Sequence, residues 1–456
     1  MRHYLTAAYL LTIFLCIYAP TVGQGFISDD YGWITASPAS GDPVLPAFTH
    51  NVGFYRPLVT LSFALNYRIS GLNARPYALT NLALLGACIG LLIWLAALNG
   101  LSLGFGLFAA GLWSFNFHGV NMSLLWLSGR TSLLLTVFAL GAAIAFLKQR
   151  PFTTAALSLL AMLSKEEATM LPVLFSLWAF WEKSSIEGVW PRVQDAVRRT
   201  IGIWTVTAVY LALRFQSGAF WPTNAPWFYT FSTNPHVLMR NVREYADRAC
   251  TLSVAAMIVI GLVARTTPLF HTEHRDALRR AIAWLLAGYA ITVFLPVRSS
   301  LYALFPSVGS VLIAGVVTSA WWPRLETRQK RALVVGVLLF PLIFFPVYRL
   351  RTARWVSDAR LSQSVLRQLA EVAADSDVET IVLRDDPSSR ANLASAIGSA
   401  LPNISGLIAD RPLALRMERR LPGAPVRENP ASKAPNSHEI VMSLDGQTGR
   451  LNVVRE

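Results

Sequence analysis

Long apolar runs alternate with short polar islands along almost the whole chain. The first run, Tyr4–Val22, covers about 20 residues, roughly 30 Å as a helix and enough to cross a bilayer. It is long for the core of a cleaved signal peptide and no A-x-A site follows it, so the pattern predicts an anchor. Similar runs recur at Tyr77–Leu98, Leu103–Phe117, Thr131–Leu147, Phe152–Leu163, Thr169–Trp181, Ile201–Leu213, Cys250–Val263, Ala281–Pro296, Leu304–Ala320 and Ala332–Tyr348. The reading is an α-helical polytopic membrane protein of about eleven transmembrane helices. An odd count places the two termini on opposite sides of the membrane.

Two regions depart from this pattern. Residues 23–75 form a long loop whose second part, Phe54–Gly71, spaces its apolar residues for a helix lying in the membrane interface, with Pro57 in the first turn. Residues 349–456 form a small C-terminal α/β soluble appendage. Asp358–Ala374 and Ser389–Leu401 read as helices, Thr380–Leu383 as a strand, and Glu439–Leu444 with Arg450–Val454 as a hairpin around Asp445-Gly446. The Pro-rich stretch Leu421–Pro435 interrupts it. The domain division is therefore 1–348 and 349–456.

Charge orients the chain. Lys148–Arg150, Glu182–Arg199, Arg265–Arg280 and Arg324–Arg331 carry Lys and Arg between apolar runs, which the positive-inside rule assigns to the cytoplasm. That places the N-terminus in the cytoplasm and loop 23–75 with the C-terminal appendage outside, in a bacterial inner (cell) membrane. Only 14% of the residues are charged and 54% are hydrophobic, with a mean hydropathy of +0.43. Those values exclude a soluble protein, and the net charge of +14 is taken up by membrane orientation rather than by nucleic acid. Cys16, Cys88 and Cys250 show no metal or disulfide spacing and read as core residues.

Four polar islands fall at the outer ends of these runs, where a polar residue is costly without a partner or a task. The first, Phe26–Ile34, reads F-I-S-D-D-Y-G-W-I. Its adjacent Asp29 and Asp30 repel each other, which suits a base, and Phe26, Tyr31 and Trp33 suit the headgroup level. The others are His118–Arg130, Ser164-Lys165-Glu166 and Pro296–Ser307. Each also has a structural reading: Lys165-Glu166 as a mutual ion pair capping a tight hairpin, Arg130 as an interface anchor, Arg56 and Arg68 as lipid-facing anchors, and His118 as an interfacial residue.

The ordered series D-D-Y, Y-R-P-L-V-T-L-S-F-A-L-N-Y, H-x-V-N, S-G-R-x-S-L-L, L-S-K-E-x-A and L-Y-x-x-x-P-S-V-G resembles polytopic glycosyltransferases of the C type (GT-C). Among these it is most similar to the protein O-mannosyltransferase-like group, over roughly residues 1–320 and without that group's tetratricopeptide repeats. The resemblance implies transfer of a hexose such as mannose, with inversion, from a polyprenyl-phosphate-linked sugar. The acceptor would be a hydroxyl on a protein, glycan or lipid, at the non-cytoplasmic face. It assigns the base to Asp29 or Asp30. Arg298, Arg130 and Lys165 are candidates for the donor phosphate, with Glu166, His118 and Tyr302 in support. Gly119 stands where the group often has proline, Ser123 near an expected glutamate, and Val297 in place of an acid before Arg298. No metal and no other cofactor is expected. The rival readings are a transporter or lipid flippase, and a catalytically inactive relative.

Overall fold

The computed structural model describes residues 2–36, 47–48, 54–182, 188–220, 229–265, 267–385, 393–409, 411–419, 439–445 and 450–454. Helices dominate them: α1 (Arg2–Tyr18), α2 (Asp29–Thr35), α3 (Pro57–Ser70), α4 (Ala74–Leu98), α5 (Leu103–Ser114), α6 (Gly119–Leu125), α7 (Arg130–Leu147), α8 (Pro151–Met162), α9 (Leu171–Glu182), α10 (Val189–Gln216), α11 (Pro235–Ala264), α12 (Thr272–Tyr289), α13 (Leu304–Trp321) and α14 (Thr327–Ala373). The short helices α15 (Leu393–Ala396) and α16 (Leu401–Ile408) and strands β1 (Thr380–Asp385), β2 (Ala414–Arg419), β3 (Glu439–Asp445) and β4 (Arg450–Val453) complete the chain.

Each apolar run read from the sequence lies mainly on one of these helices, with Ala281–Pro296 outrunning α12, which ends at Tyr289. Among the described residues six helical segments are long and apolar enough to cross a membrane: Ala74–Leu98, Leu127–Leu147, Pro235–Ala264, His274–Phe294, Ser300–Arg324 and Thr327–Ala373. The chain is a multi-pass membrane protein. Helices α8 and α9 are short, 12 residues each, and meet at a tight corner. Packing inside the bundle is close where side chains are small. A Cβ on Gly309 of α13 would sit 2.5 Å from the Ala281 carbonyl of α12, so that contact admits only glycine.

The helix starts follow local chemistry. Asn73 caps α4 by accepting the Arg75 N–H at 3.1 Å, and Asn234 caps α11 by accepting that of His236 at 2.9 Å. Pro57 and Pro235 occupy first turns, where no amide donor is needed. Several helices extend well past their apolar runs. The run Cys250–Val263 sits on α11, which begins 15 residues earlier at Pro235 and carries Glu244 and Arg248 ahead of that run.

The largest difference from the sequence reading is α14. The last apolar run and the amphipathic segment after it form one 47-residue helix, roughly 70 Å long. It contains Pro341 and Pro346 and passes residue 349 without a break. No helix terminator stands between Tyr348 and Asp358, so the composition change marks where the helix leaves the apolar layer rather than where it ends.

The C-terminal half of α14 carries the C-terminal sheet. Strand order is β2-β1-β3-β4, with β1 parallel to both neighbours and β3–β4 an antiparallel hairpin pairing Leu444 with Leu451. The residues of the hairpin turn beyond Asp445, and the stretch Leu421–Pro435, lie outside the described residues. Phe26, Tyr31 and Trp33 do not face outward. They are buried in a second core with Leu361 and Val365 of α14, Ile381 of β1, and Leu401 and Ile404 of α16. The acidic loop is thereby docked on the C-terminal layer. Of the cysteines, Cys88 is buried but Cys16 is exposed.

Candidate active site

Tight contacts shape the segment leading to the aspartates. A Cβ on Gly25 would meet the Ala359 carbonyl at 2.4 Å, so only glycine allows this loop to lie against α14. Ser28 has φ +47°, a left-handed conformation unusual for serine, held by its N–H donating to Ala396 at 3.2 Å. The Trp126 indole donates to the Ile27 carbonyl at 3.3 Å.

This backbone sends the two carboxylates into opposite environments. Asp30 is 1% exposed. Its Oδ2 accepts the Ile27 N–H at 2.9 Å, and its Oδ1 accepts the Ser128 N–H at 2.7 Å and the Ser128 hydroxyl. Burial pushes its carboxyl up to about 7 against the pull of those donors. Asp29 is open to solvent. The surrounding protein raises its carboxyl too, while Ser28 and the Arg56 guanidinium act in the opposite sense. Asp29 is thus available to a substrate, and Asp30 is a tie between α2 and the start of α7.

Arg130 is not available to a phosphate. It is 0% exposed, with Nε donating to Asn81 at 2.9 Å, Nη2 to the Tyr77 carbonyl at 2.9 Å and Nη1 to the Ser62 carbonyl at 3.1 Å. Its guanidinium stacks on Phe63, 4.4 Å from the ring centroid. Nor is it an interface anchor: it is a buried junction joining α3, α4 and α7. Asn81 completes the junction by donating to the Ser123 and Leu127 carbonyls at 3.3 and 3.1 Å. A Cβ on Gly129 would come within 2.5 Å of Ser123, so glycine is required where this loop doubles back.

The L-S-K-E-E corner between α8 and α9 is wired differently from the mutual pair expected of it. Glu166 accepts from Arg56 Nη2 at 2.7 Å and Nε at 3.0 Å, with Arg214 Nη1 3.5 Å away. Burial would raise the Glu166 carboxyl, but the two guanidinium groups reverse this and hold it near 2. Lys165 pairs instead with Glu167 at 2.7 Å, donates to Ser132 at 3.0 Å, and lies 4.7 Å over the Tyr302 ring. Burial lowers the Lys165 ammonium and Glu167 opposes that.

Arg56 belongs to this site and is not a lipid-facing anchor. Its guanidinium lies 4.2 Å over Phe54, its Nε and Nη2 grip Glu166, and Nη1 makes no hydrogen bond among the described residues. Phe54 in turn packs edge-on against Tyr229, 5.3 Å between centroids, and Tyr229 feels both Arg56 and Asp29. The signal for Arg56 was in the sequence: two adjacent acids, Glu166 and Glu167, at an apolar corner require more than the single Lys165 to neutralise them.

Arg298 donates to Glu244 at 2.6 Å, and Glu244 also takes Arg248 at 3.0 Å. The adjacent Val297 carbonyl lies 3.4 Å from the Tyr245 hydroxyl, and the Tyr245 ring meets Tyr302 edge-on at 6.4 Å. Arg298 therefore borders the Lys165–Tyr302 pair across Tyr245, and it shares the Glu244 carboxylate with Arg240 and Arg248. His118 lies apart, its Nδ1 3.4 Å from the Ser300 hydroxyl, and burial with nearby Arg351 and Arg248 lowers its imidazole to about 4. Gly119 beside it allows a close approach, since a Cβ there would sit 2.6 Å from the Leu304 amide. Among the described residues no group of three or more His, Cys, Asp or Glu is placed to hold a metal.

No family model matches the chain, and no curated protein matches it. Solved structures similar to it include two of one protein. One is the crystal structure of ArnT from Cupriavidus metallidurans bound to undecaprenyl phosphate, at 16% identity over 89% of this chain and 75% of that one, with a TM-score of 0.44. The other is the same protein in the apo state, at 15% identity over the same shares and the same TM-score of 0.44.

Proposed function

We propose that the chain is a membrane glycosyltransferase of the GT-C type that moves a sugar from a polyprenyl-phosphate donor to a hydroxyl acceptor. The observation that carries this reading is an exposed carboxylate, Asp29, within electrostatic reach of a guanidinium, Arg56, whose Nη1 makes no hydrogen bond among the described residues. Both stand at the same end of the bundle as the polar corner of α8 and α9.

The chemistry needs those two charges. A hydroxyl attacking an anomeric carbon must lose its proton, and Asp29, with a raised pKa and open to solvent, is the base. The phosphate leaving from the same carbon gains negative charge as the bond breaks. Arg56 Nη1 donates to it, with Nε and Nη2 held by Glu166 so that the fork does not have to be ordered during the reaction. Lys165, seated on Tyr302, supplies a second cation, and Arg298 borders the site. Attack opposite the departing phosphate inverts the configuration. A hexose such as mannose is the sugar that the sequence resemblance suggests, and the non-cytoplasmic face follows from the charge bias of the loops.

A transporter would place paired charges near the midplane on broken helices. Here the ion pairs of Glu166, Glu167 and Glu244 gather at one end of the bundle. The experiment is to supply a polyprenyl-phosphate mannose and a hydroxyl acceptor to purified protein in detergent. The proposal expects acceptor-dependent release of polyprenyl phosphate, lost in Asp29→Asn. Transport of the intact donor with no bond cleavage would overturn it.

A further inference from the structure

Away from the acidic loop, a concavity of about 290 Å³ opens where α14 leaves the apolar layer. Its walls include Arg349, Thr352, Ala353, Ser357 and Arg360 of α14 and Pro20 just after α1. Arg349 and Arg360 are eleven residues apart, three helical turns, so both leave α14 on the same face and bracket the small side chains of Ala353 and Ser357. No carboxylate lines the pocket, and neither arginine forms an ion pair among the described residues. Arg349 makes one long bond, to the Cys16 carbonyl at 3.4 Å.

Thr352 brings an unsatisfied polar group to the pocket wall. It is 1% exposed, yet its hydroxyl has no hydrogen-bond partner among the described residues. Other helical threonines of this chain satisfy theirs by donating four residues back: Thr80 to Pro76 at 2.9 Å, Thr136 to Ser132 at 2.7 Å and Thr318 to Ala314 at 2.6 Å. A buried unpaired hydroxyl between two unmatched guanidinium groups fits an oxyanion.

The position selects the source of that anion. Just below the pocket, α14 turns Leu342, Ile343 and Val347 outward, and α1 does the same with Leu11 and Leu15. Acyl chains lying along that face would bring a headgroup phosphate to the level of Arg349. We propose that this pocket binds the phosphate of an anionic phospholipid, fixing the height of α14, and with it the C-terminal layer, relative to the membrane.

The test uses native mass spectrometry of the full chain, delipidated in detergent and then given phosphatidylglycerol, phosphatidylcholine or inorganic phosphate. Expected is one retained phosphatidylglycerol per chain, and little phosphatidylcholine. Arg349→Gln/Arg360→Gln should lower that retention by about fivefold or more, whereas Arg354→Gln, exposed on α14 but outside the pocket, should leave it unchanged. Should the double variant not fold, the single variants carry the test, each with a smaller loss. Equal retention in wild type and pocket variants would overturn the proposal, as would an equal loss in Arg354→Gln, which would signal diffuse charge. Complete displacement of the lipid by inorganic phosphate at comparable concentration would assign the pocket to the free ion and overturn the lipid.

Discussion

Arg56 holds Glu166 through two nitrogens, Nη2 at 2.7 Å and Nε at 3.0 Å from the same carboxylate oxygen. The pair joins the start of α3 to the corner of α8 and α9, residues 110 apart in sequence. Nη1 makes no hydrogen bond among the described residues, so the ion pair orients the guanidinium without consuming it. Arg56→Lys should keep the charge but lose the fork, lowering turnover about tenfold, and Arg56→Ala should lower it by about a hundredfold. Glu166→Gln should reduce turnover less than Arg56→Ala does, since the guanidinium remains. Steady-state rates normalised to folded protein check the order, and full activity in Arg56→Ala would remove it from the site.

Asp30 should respond to pH through stability. Its carboxyl rises from an ordinary 3.8 to about 7 on folding, so the folded state holds the proton more tightly than the unfolded chain. The resulting stabilisation is fully present below about pH 4 and is lost as pH rises through about 7. Asp29 contributes in the same sense. Glu166 acts oppositely, but near 2, outside this window. His118, lowered from 6.5 to about 4, opposes this up to about pH 6.5, so the thermal midpoint should fall between about pH 6.5 and pH 8, and Asp30→Asn should flatten that fall. An identical pH slope in the variant would contradict the assignment.

Arg130 should behave as a structural residue. Arg130→Ala strands the Asn81 side chain and the Ser62 and Tyr77 carbonyls in a buried site, at a cost on the order of 3 kcal/mol or more. Thermal melts should show a large loss of stability, with KM for the donor unchanged in the protein that remains folded. A raised KM with normal stability would return Arg130 to the phosphate.

Orientation has its own test. The Tyr31 hydroxyl meets Ser362 at 2.6 Å, and Arg351 donates to the Phe117 carbonyl at 2.8 Å, so the acidic loop and the C-terminal layer share one end of the bundle. Reporters fused after Arg150 and after Val454 should report opposite sides, with the second non-cytoplasmic. A cytoplasmic signal at Val454 would move the acidic loop to the cytoplasm with it.

How far these features were legible in the sequence depended on the range of the interaction. The apolar runs located every long helix, because crossing a bilayer demands local, continuous hydrophobicity. The β3–β4 hairpin was equally local. The continuity of α14 was not, because a helix interior that passes from lipid to water changes composition without changing conformation. At the site, Asp29 and Asp30 were visible as a pair, but their division of labour was not. It depends on Ser128, 98 residues away, which claims one carboxylate and leaves its neighbour exposed. Arg56 sits within the Y-R-P motif and from sequence alone reads as an anchor, since its partner Glu166 lies on another corner of the fold. Arg130 looked like a surface cation because an arginine next to an apolar run reads the same whether it faces lipid or is enclosed.

The central claim is that Asp29, and not Asp30, is the base. Turnover of a polyprenyl-phosphate sugar by purified Asp29→Asn and Asp30→Asn, each normalised to folded protein, tests it most directly. Asp29→Asn should melt like the wild type and lose turnover by a factor on the order of 100 or more, while Asp30→Asn should keep turnover within about tenfold per folded molecule. Normal turnover in Asp29→Asn, or the full loss in a stable Asp30→Asn, would contradict the account.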